Sequence, residues 1–126
     1  KDSDSALRFW GALGLAALKE HCEPAEKELV RGLRDPSALV RIHCAEALYY
    51  CGKRSLALKA LLKALKHPSA FIRLRALNAI DRLEERSPDV LRSIERSKIK
   101  DPSHPFVSQY VNRIASYLPK LKRDKS

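Results

Sequence analysis

The stretch "RDPSALVRIHCAEAL" at residues 34–48 returns 32 residues later as "KHPSAFIRLRALNAI". Two further copies can be aligned, so that units open at Asp2, Asp35, His67 and Asp101, at intervals of 33, 32 and 34 residues. Downstream columns agree as well. Leu15, Leu48, Ile80 and Ile114 coincide, as do Ala12, Ala45, Leu77 and Val111. Gly14, Ala47 and Ala79 form a column of small residues that Arg113 breaks. A fixed period near 33 constrains the fold more than any local propensity. Each unit is too small to bury its own apolar face and must stack on its neighbours.

Each unit divides into two helices. After the Pro-Ser-Ala turn of unit two, Leu39, Val40, Cys44, Ala47, Leu48 and Cys51 recur at the 3–4 residue spacing of a helix. Ser37 is its N-cap, and Gly52 is a stop just past its end. A shorter helix follows in "SLALKALLKAL", with Leu58, Leu61, Leu62 and Leu65 on one stripe. "SPDVLRSIERSKI" is its equivalent, capped by Ser87 with Pro88 in the first turn. "EPAEKELVRGL" is the third such helix, with an acidic first turn that suits the helix dipole. The pattern predicts one all-α domain over 1–119, with seven antiparallel helices near 5–20, 24–34, 37–51, 55–66, 69–86, 88–98 and 104–118. Residues 120–126 are expected to be a disordered basic tail. No apolar run approaches a membrane span. The chain opens on Lys1, on a second helix, and contains no Met, so it is expected to be a piece of a longer protein.

The period, the short helix pair and the Asp-Pro-Ser-Ala-x-Val-Arg turn resemble HEAT repeats over residues 2–118. The resemblance implies a right-handed α-solenoid. It also implies a ladder in which an Asp at the turn and an Arg six positions later bond along the stack. The ladder positions are Asp2, Arg8, Asp35, Arg41, Arg73 and Asp101. His67 replaces one Asp and Val107 replaces one Arg, so the ladder is expected to weaken toward the C-terminus. "LRFWGALGL", "VRIHCAEAL", "IRLRALNAIDRL" and "YVNRIASYL" also resemble the HEAT-like segment that follows the catalytic domain of bacterial sulfatase-like hydrolases. That parentage implies a periplasmic or secreted protein; otherwise a cytoplasmic one is expected.

No catalytic constellation is expected within the chain. The sulfatase nucleophile motif is Cys or Ser followed by x-Pro-x-Arg, and Glu26 stands where the Arg must be after Cys22. Cys22, Cys44 and Cys51 are odd in number, which excludes a closed disulfide framework. They have no zinc-site spacing and read as small buried apolar residues. His43 and Cys44 are adjacent, so on a helix they point about 100° apart. His67 and His104 sit in turns, and Asp81, Glu84 and Glu85 share a helix with Arg82 and Arg86 as solvated ion pairs. No Gly-rich phosphate loop is present, and no cofactor or metal is expected.

Charge is the remaining functional signal. Residues 64–126 carry 14 basic and 7 acidic groups. With the ladder arginines set aside, Arg75, Arg82, Arg113, Lys120, Lys122 and Arg123 are the candidate anion contacts. Aromatic residues are scarce, and Phe9, Phe71 and Phe106 open second helices, where core packing is the better explanation. Trp10 falls in a column otherwise occupied by His43, Arg75 and Gln109, so Phe9 and Trp10 mark a candidate domain interface. Two functions follow. One is a non-catalytic scaffold that packs against another protein or a neighbouring domain, such as a sulfatase catalytic domain. The alternative is a solenoid that binds nucleic acid or acidic glycan through its basic C-terminal half.

Overall fold

The computed structural model describes residues 22–125, with side chains to residue 120. The described residues contain six helices and no strand. α1 is helical over 22–32, followed by α2 (Ala38–Tyr50), α3 (Arg54–Ala64), α4 (Ala70–Leu83), α5 (Pro88–Glu95) and α6 (Pro105–Lys125). The helix expected over 5–20 lies outside the described residues. The chain forms two compact units, 1–61 and 62–126.

In the first unit α2 begins and ends as its sequence dictates. The Ser37 hydroxyl accepts the Val40 N–H at 3.4 Å. At the other end Gly52 takes a φ of +88°, which costs glycine nothing. That lets the Lys53 N–H reach back to the Leu48 carbonyl at 2.9 Å and the Gly52 N–H to Tyr49 at 3.1 Å. Ala25, Leu29, Ile42, Cys44, Ala45, Leu48, Ala57 and Leu61 are buried. Each large aliphatic side chain among them contributes roughly 1.5–3 kcal/mol on removal from water. Gly32, the last residue of α1, is itself buried and lies directly against Cys44 of α2.

The cysteines correct the sequence reading. Cys22 and Cys51 form a disulfide, with Cα atoms 5.4 Å apart. Only Cys44 is a free buried thiol among the described residues. The bridge ties α1 to the end of α2 across 29 residues of chain. A loop of that length corresponds to about 3–4 kcal/mol of lost unfolded-state entropy in the chain-entropy model. Lys53 and Glu26 approach to 3.6 Å beside it, but both are exposed and the pair adds little.

In the second unit α6 packs against α4 and α5. Leu77, Ile80, Val90, Ile94, Val111, Ala115 and Leu118 are almost fully buried. α4 stops at Leu83, three residues before its expected end, because Glu84 turns into the left-handed region at φ 56°. α5 is capped by Arg96, and the Ser97 hydroxyl turns back to donate to the Ile94 carbonyl at 2.6 Å. α6 departs most from expectation. It does not stop at 118 but continues through Pro119 to Lys125, so the backbone of 120–125, expected to be a disordered tail, is helical. Asn112 fastens the preceding loop to it. Its side-chain oxygen accepts the Ile99 N–H at 2.8 Å, and its amide donates to the Ile99 carbonyl at 3.0 Å.

Candidate functional site

The polar side chains of the repeated turns come first, because they are the chain's most chemical-looking groups. Asp101 is the centre of the best-connected cluster. One carboxylate oxygen accepts the Ser103 N–H at 3.0 Å and so shapes its own turn. The other accepts the Ala70 N–H at 2.9 Å, 31 residues earlier in sequence, and the His104 Nδ1–H at 3.0 Å. The Ala70 bond satisfies a first-turn N–H of α4 for which Ser69 supplies no side-chain cap. These contacts, the Ala70 N–H foremost and then His104, hold the Asp101 carboxyl below the usual carboxylate range. Ser108 closes the cluster, accepting the Asp101 N–H at 3.0 Å and donating to the His104 carbonyl at 2.9 Å.

Arg73 makes the complementary link. Its Nε donates to the His67 carbonyl at 2.6 Å, and its Nη1 donates to the carbonyls of Ser97 and Lys98, both at 3.0 Å. Those last two carbonyls lie just past the end of α5, where helix carbonyls lack intrahelical partners. With Nε on the His67 carbonyl and Nη1 on these two, the planar guanidinium reaches three carbonyls from two nitrogens, which a single ammonium nitrogen could not. Burial lowers the Arg73 pKa from its ordinary value. Arg41 repeats the motif locally, donating to the carbonyls of Asp35 at 2.7 Å and Pro36 at 3.1 Å. The Asp35 carboxylate instead accepts the Ser37 N–H at 2.8 Å. Asp35 and Arg41 are thus joined through the main chain and not side chain to side chain, as a ladder of paired charges would have them. Asp101 bridges consecutive repeats, and Arg73 ties the turn of its own repeat to the end of α5, at the end of the chain where the ladder was expected to weaken. Asp2 and Arg8 lie outside the described residues.

His67 shows how a turn tolerates the loss of its Asp. Its Nδ1 accepts the Ser69 N–H at 3.0 Å, the bond that Asp35 and Asp101 make to Ser37 and Ser103. Nδ1 takes the acceptor role that a carboxylate oxygen has in the other two turns. The substitution keeps the turn but removes the carboxylate.

Cys44 is nearly inaccessible, and burial raises its thiol pKa to about 11, with Asp35 and Glu28 adding repulsion of the thiolate. A reactive cysteine needs the opposite environment. Among the described residues no group of three or more His, Cys, Asp or Glu side chains could hold a metal ion. No helix among them is long and apolar enough to cross a membrane.

The candidate anion contacts separate on inspection. Arg75 lies 6.0 Å from the Phe71 ring centroid, within cation–π range, and neither it nor Arg82 is free charge. Arg113 and Lys120 are exposed on α6. The side chains of Lys122 and Arg123, together with the candidate interface residues Phe9 and Trp10, lie outside the described residues. The aromatic residues correct the sequence reading a second time. Phe71 is 38% exposed and Phe106 is 76% exposed, so neither serves as a core anchor. Tyr110 and Tyr117, 59% and 44% exposed, were not singled out by the repeat. Their spacing of four and seven residues from Phe106 and Tyr110 was the signal that would have found them.

A family model described as HEAT repeats matches residues 26–108, about two thirds of the chain. No curated protein and no solved structure matches it. The matched span covers the described helix pairs and their Pro-Ser turns as far as the start of α6. With its described residues folded into helices alone and a 32–34 residue period, the chain belongs to the HEAT-repeat family.

Proposed function

We propose that this chain is a non-catalytic scaffold whose helical surface holds another protein or a neighbouring domain. HEAT repeats generally serve as protein-interaction scaffolds, which is the coarse reading that family membership supplies. The observation that carries it here is where the reactive-looking groups go. Asp35, Arg41, His67, Arg73, Asp101, Ser108 and Asn112 are all bonded to main-chain N–H or carbonyl groups. Such groups build turns and repeat junctions and leave recognition to the exposed helix faces.

The sequence resemblance supplies a candidate neighbour, a sulfatase-like catalytic domain on the same polypeptide. A Cys/Ser-x-Pro-x-Arg motif encoded upstream is the expected finding, and its absence removes that neighbour while leaving the scaffold reading in place. The Cys22–Cys51 bridge supports the periplasmic or secreted setting that such a neighbour implies, because disulfides persist in oxidising compartments.

The competing reading, a polyanion-binding solenoid, draws on the excess of basic groups in residues 64–126. Titration of the full chain with a 20-nucleotide oligonucleotide, a DNA duplex and heparin at 0.15 M salt separates the two. A scaffold that is merely basic binds each no more tightly than the non-specific range of about 1–100 μM, with affinity falling steeply as salt rises. Nanomolar, saturable binding to any of the three at that salt would replace the scaffold reading.

A further inference from the structure

We propose that the outer face of α6 is a docking site for an acidic amphipathic helix of a partner protein. The proposal rests on the scaffold reading and names the partner's chemistry. Phe106, Tyr110, Arg113, Tyr117 and Lys120 follow one another at spacings of four, three, four and three residues. On an α-helix those positions fall within about 80° of one another and form a stripe about 21 Å long. The stripe lies on the side of α6 opposite the buried line Val111, Ala115 and Leu118. All five residues are exposed, and the three rings are among the most exposed large apolar groups described.

The composition of the stripe argues for a partner and selects it. The packed side of α4 is small and aliphatic, with Ala76, Leu77 and Ile80 and no charge. The stripe instead sets three aromatic rings beside Arg113 and Lys120, and aromatic rings with arginine are the residue types that concentrate binding energy in protein interfaces. Residues 102–120 contain no Asp or Glu, so no carboxylate within a turn of Arg113 on the helix compensates it; Asp124 is the one acidic residue of α6. A second copy of this chain would bring those cations against their own like charges, on a molecule of net charge +10. Single-stranded nucleic acid calls for rings set in a basic groove that follows the backbone. Here the rings project from a convex helix. An acidic helix satisfies each feature. Apolar residues at i, i+4 and i+7 cover the rings, and carboxylates on its flank meet the Arg113 fork and Lys120.

The test is selection of a phage-displayed library of random 16-residue peptides on the full chain at 0.15 M salt, followed by calorimetry on the enriched peptides. The expected peptides carry net negative charge with apolar residues at i, i+4 and i+7. Their affinity should fall at least ten-fold for Tyr110→Ala and for Arg113→Glu, in variants whose circular dichroism matches the parent. A Glu→Lys change in the peptide should restore at least part of the Arg113→Glu loss. Enriched peptides without negative charge, or no enrichment at all, overturn the proposal. Peptides whose affinity neither variant moves also overturn it, while leaving the scaffold reading intact. Tight binding of an oligo-dT 20-mer that depends on Tyr110 and Arg113 overturns both.

Discussion

Gly32 closes α1 where that helix presses on α2, and its substitution has a calculable outcome. A Cβ built at residue 32 would lie well inside van der Waals contact of Cys44 Sγ, and 3.3 Å from Cys44 Cβ. Cys44 is 4% exposed and carries a single rotatable bond, so its sulfur has little room to retreat. Forcing one extra carbon into such a site costs about 1–3 kcal/mol. Alanine also gains up to about 1 kcal/mol of helix propensity over glycine, less at a terminal helical residue. Gly32→Ala should therefore destabilise the chain by about 1–2 kcal/mol. Cys44→Ala alone removes one buried heavy atom and should cost about 1 kcal/mol. In the double variant the new methyl faces only the Cys44 Cβ position, so the combination should be no worse than Cys44→Ala. That corresponds to a coupling of about 1–2 kcal/mol between the two sites. Urea unfolding followed by far-ultraviolet circular dichroism measures all four corners, without reductant so that the Cys22–Cys51 bridge stays closed. A Gly32→Ala protein as stable as the parent, or strictly additive effects, would show that the helix contact is not limited by this sulfur.

Three further outcomes follow from the turn network and the buried thiol. Arg73→Lys should cost about 1–3 kcal/mol in urea unfolding, because an ammonium cannot reach the His67, Ser97 and Lys98 carbonyls together; a loss no larger than that of an exposed Arg113→Lys control would refute the clamp. Asp101 has a folded pKa below its ordinary 3.8, so its stabilising contribution is complete above pH 3.8 and lost as pH falls through the lowered value. Thermal melts from pH 6 to pH 2 should accordingly show a shallower acid limb for Asp101→Asn than for the parent, and identical limbs would contradict the assignment. Cys44 should resist a thiol reagent such as DTNB at pH 8 in the native protein and react fully in urea, since burial keeps it protonated up to about pH 11; rapid native labelling would refute its burial.

Much of the local architecture was legible in residue order. Ser37 and Gly52 were placed as cap and stop because each acts on main-chain groups within a few residues of itself. The repeat columns located Ala45, Leu48, Leu77, Ile80 and Val111 in the core, since a shared period forces equivalent positions onto equivalent faces. The candidate surface was less legible. Phe106 was expected inward because second-helix starts elsewhere carry apolar residues, yet it stands at 76% exposure. What decides exposure is whether a neighbouring element covers the position, and a column in one sequence does not carry that information.

The sequence by itself therefore determined the period, the helix pairs, the Ser37 cap and Gly52 stop of α2, and the buried columns. Each follows from short-range hydrogen bonding or from side-chain periodicity along one helix. Ser87, expected to cap α5, holds the N-cap position without a side-chain bond. Only the tertiary structure decided that Cys22 meets Cys51, that the Asp101 carboxylate reaches the Ala70 N–H across 31 residues, and that Arg73 spans two carbonyls beyond α5. It also decided that the stripe from Phe106 to Lys120 faces outward. Those outcomes depend on which segments are brought within a few ångströms of one another by stacking. Local propensity is indifferent to that choice.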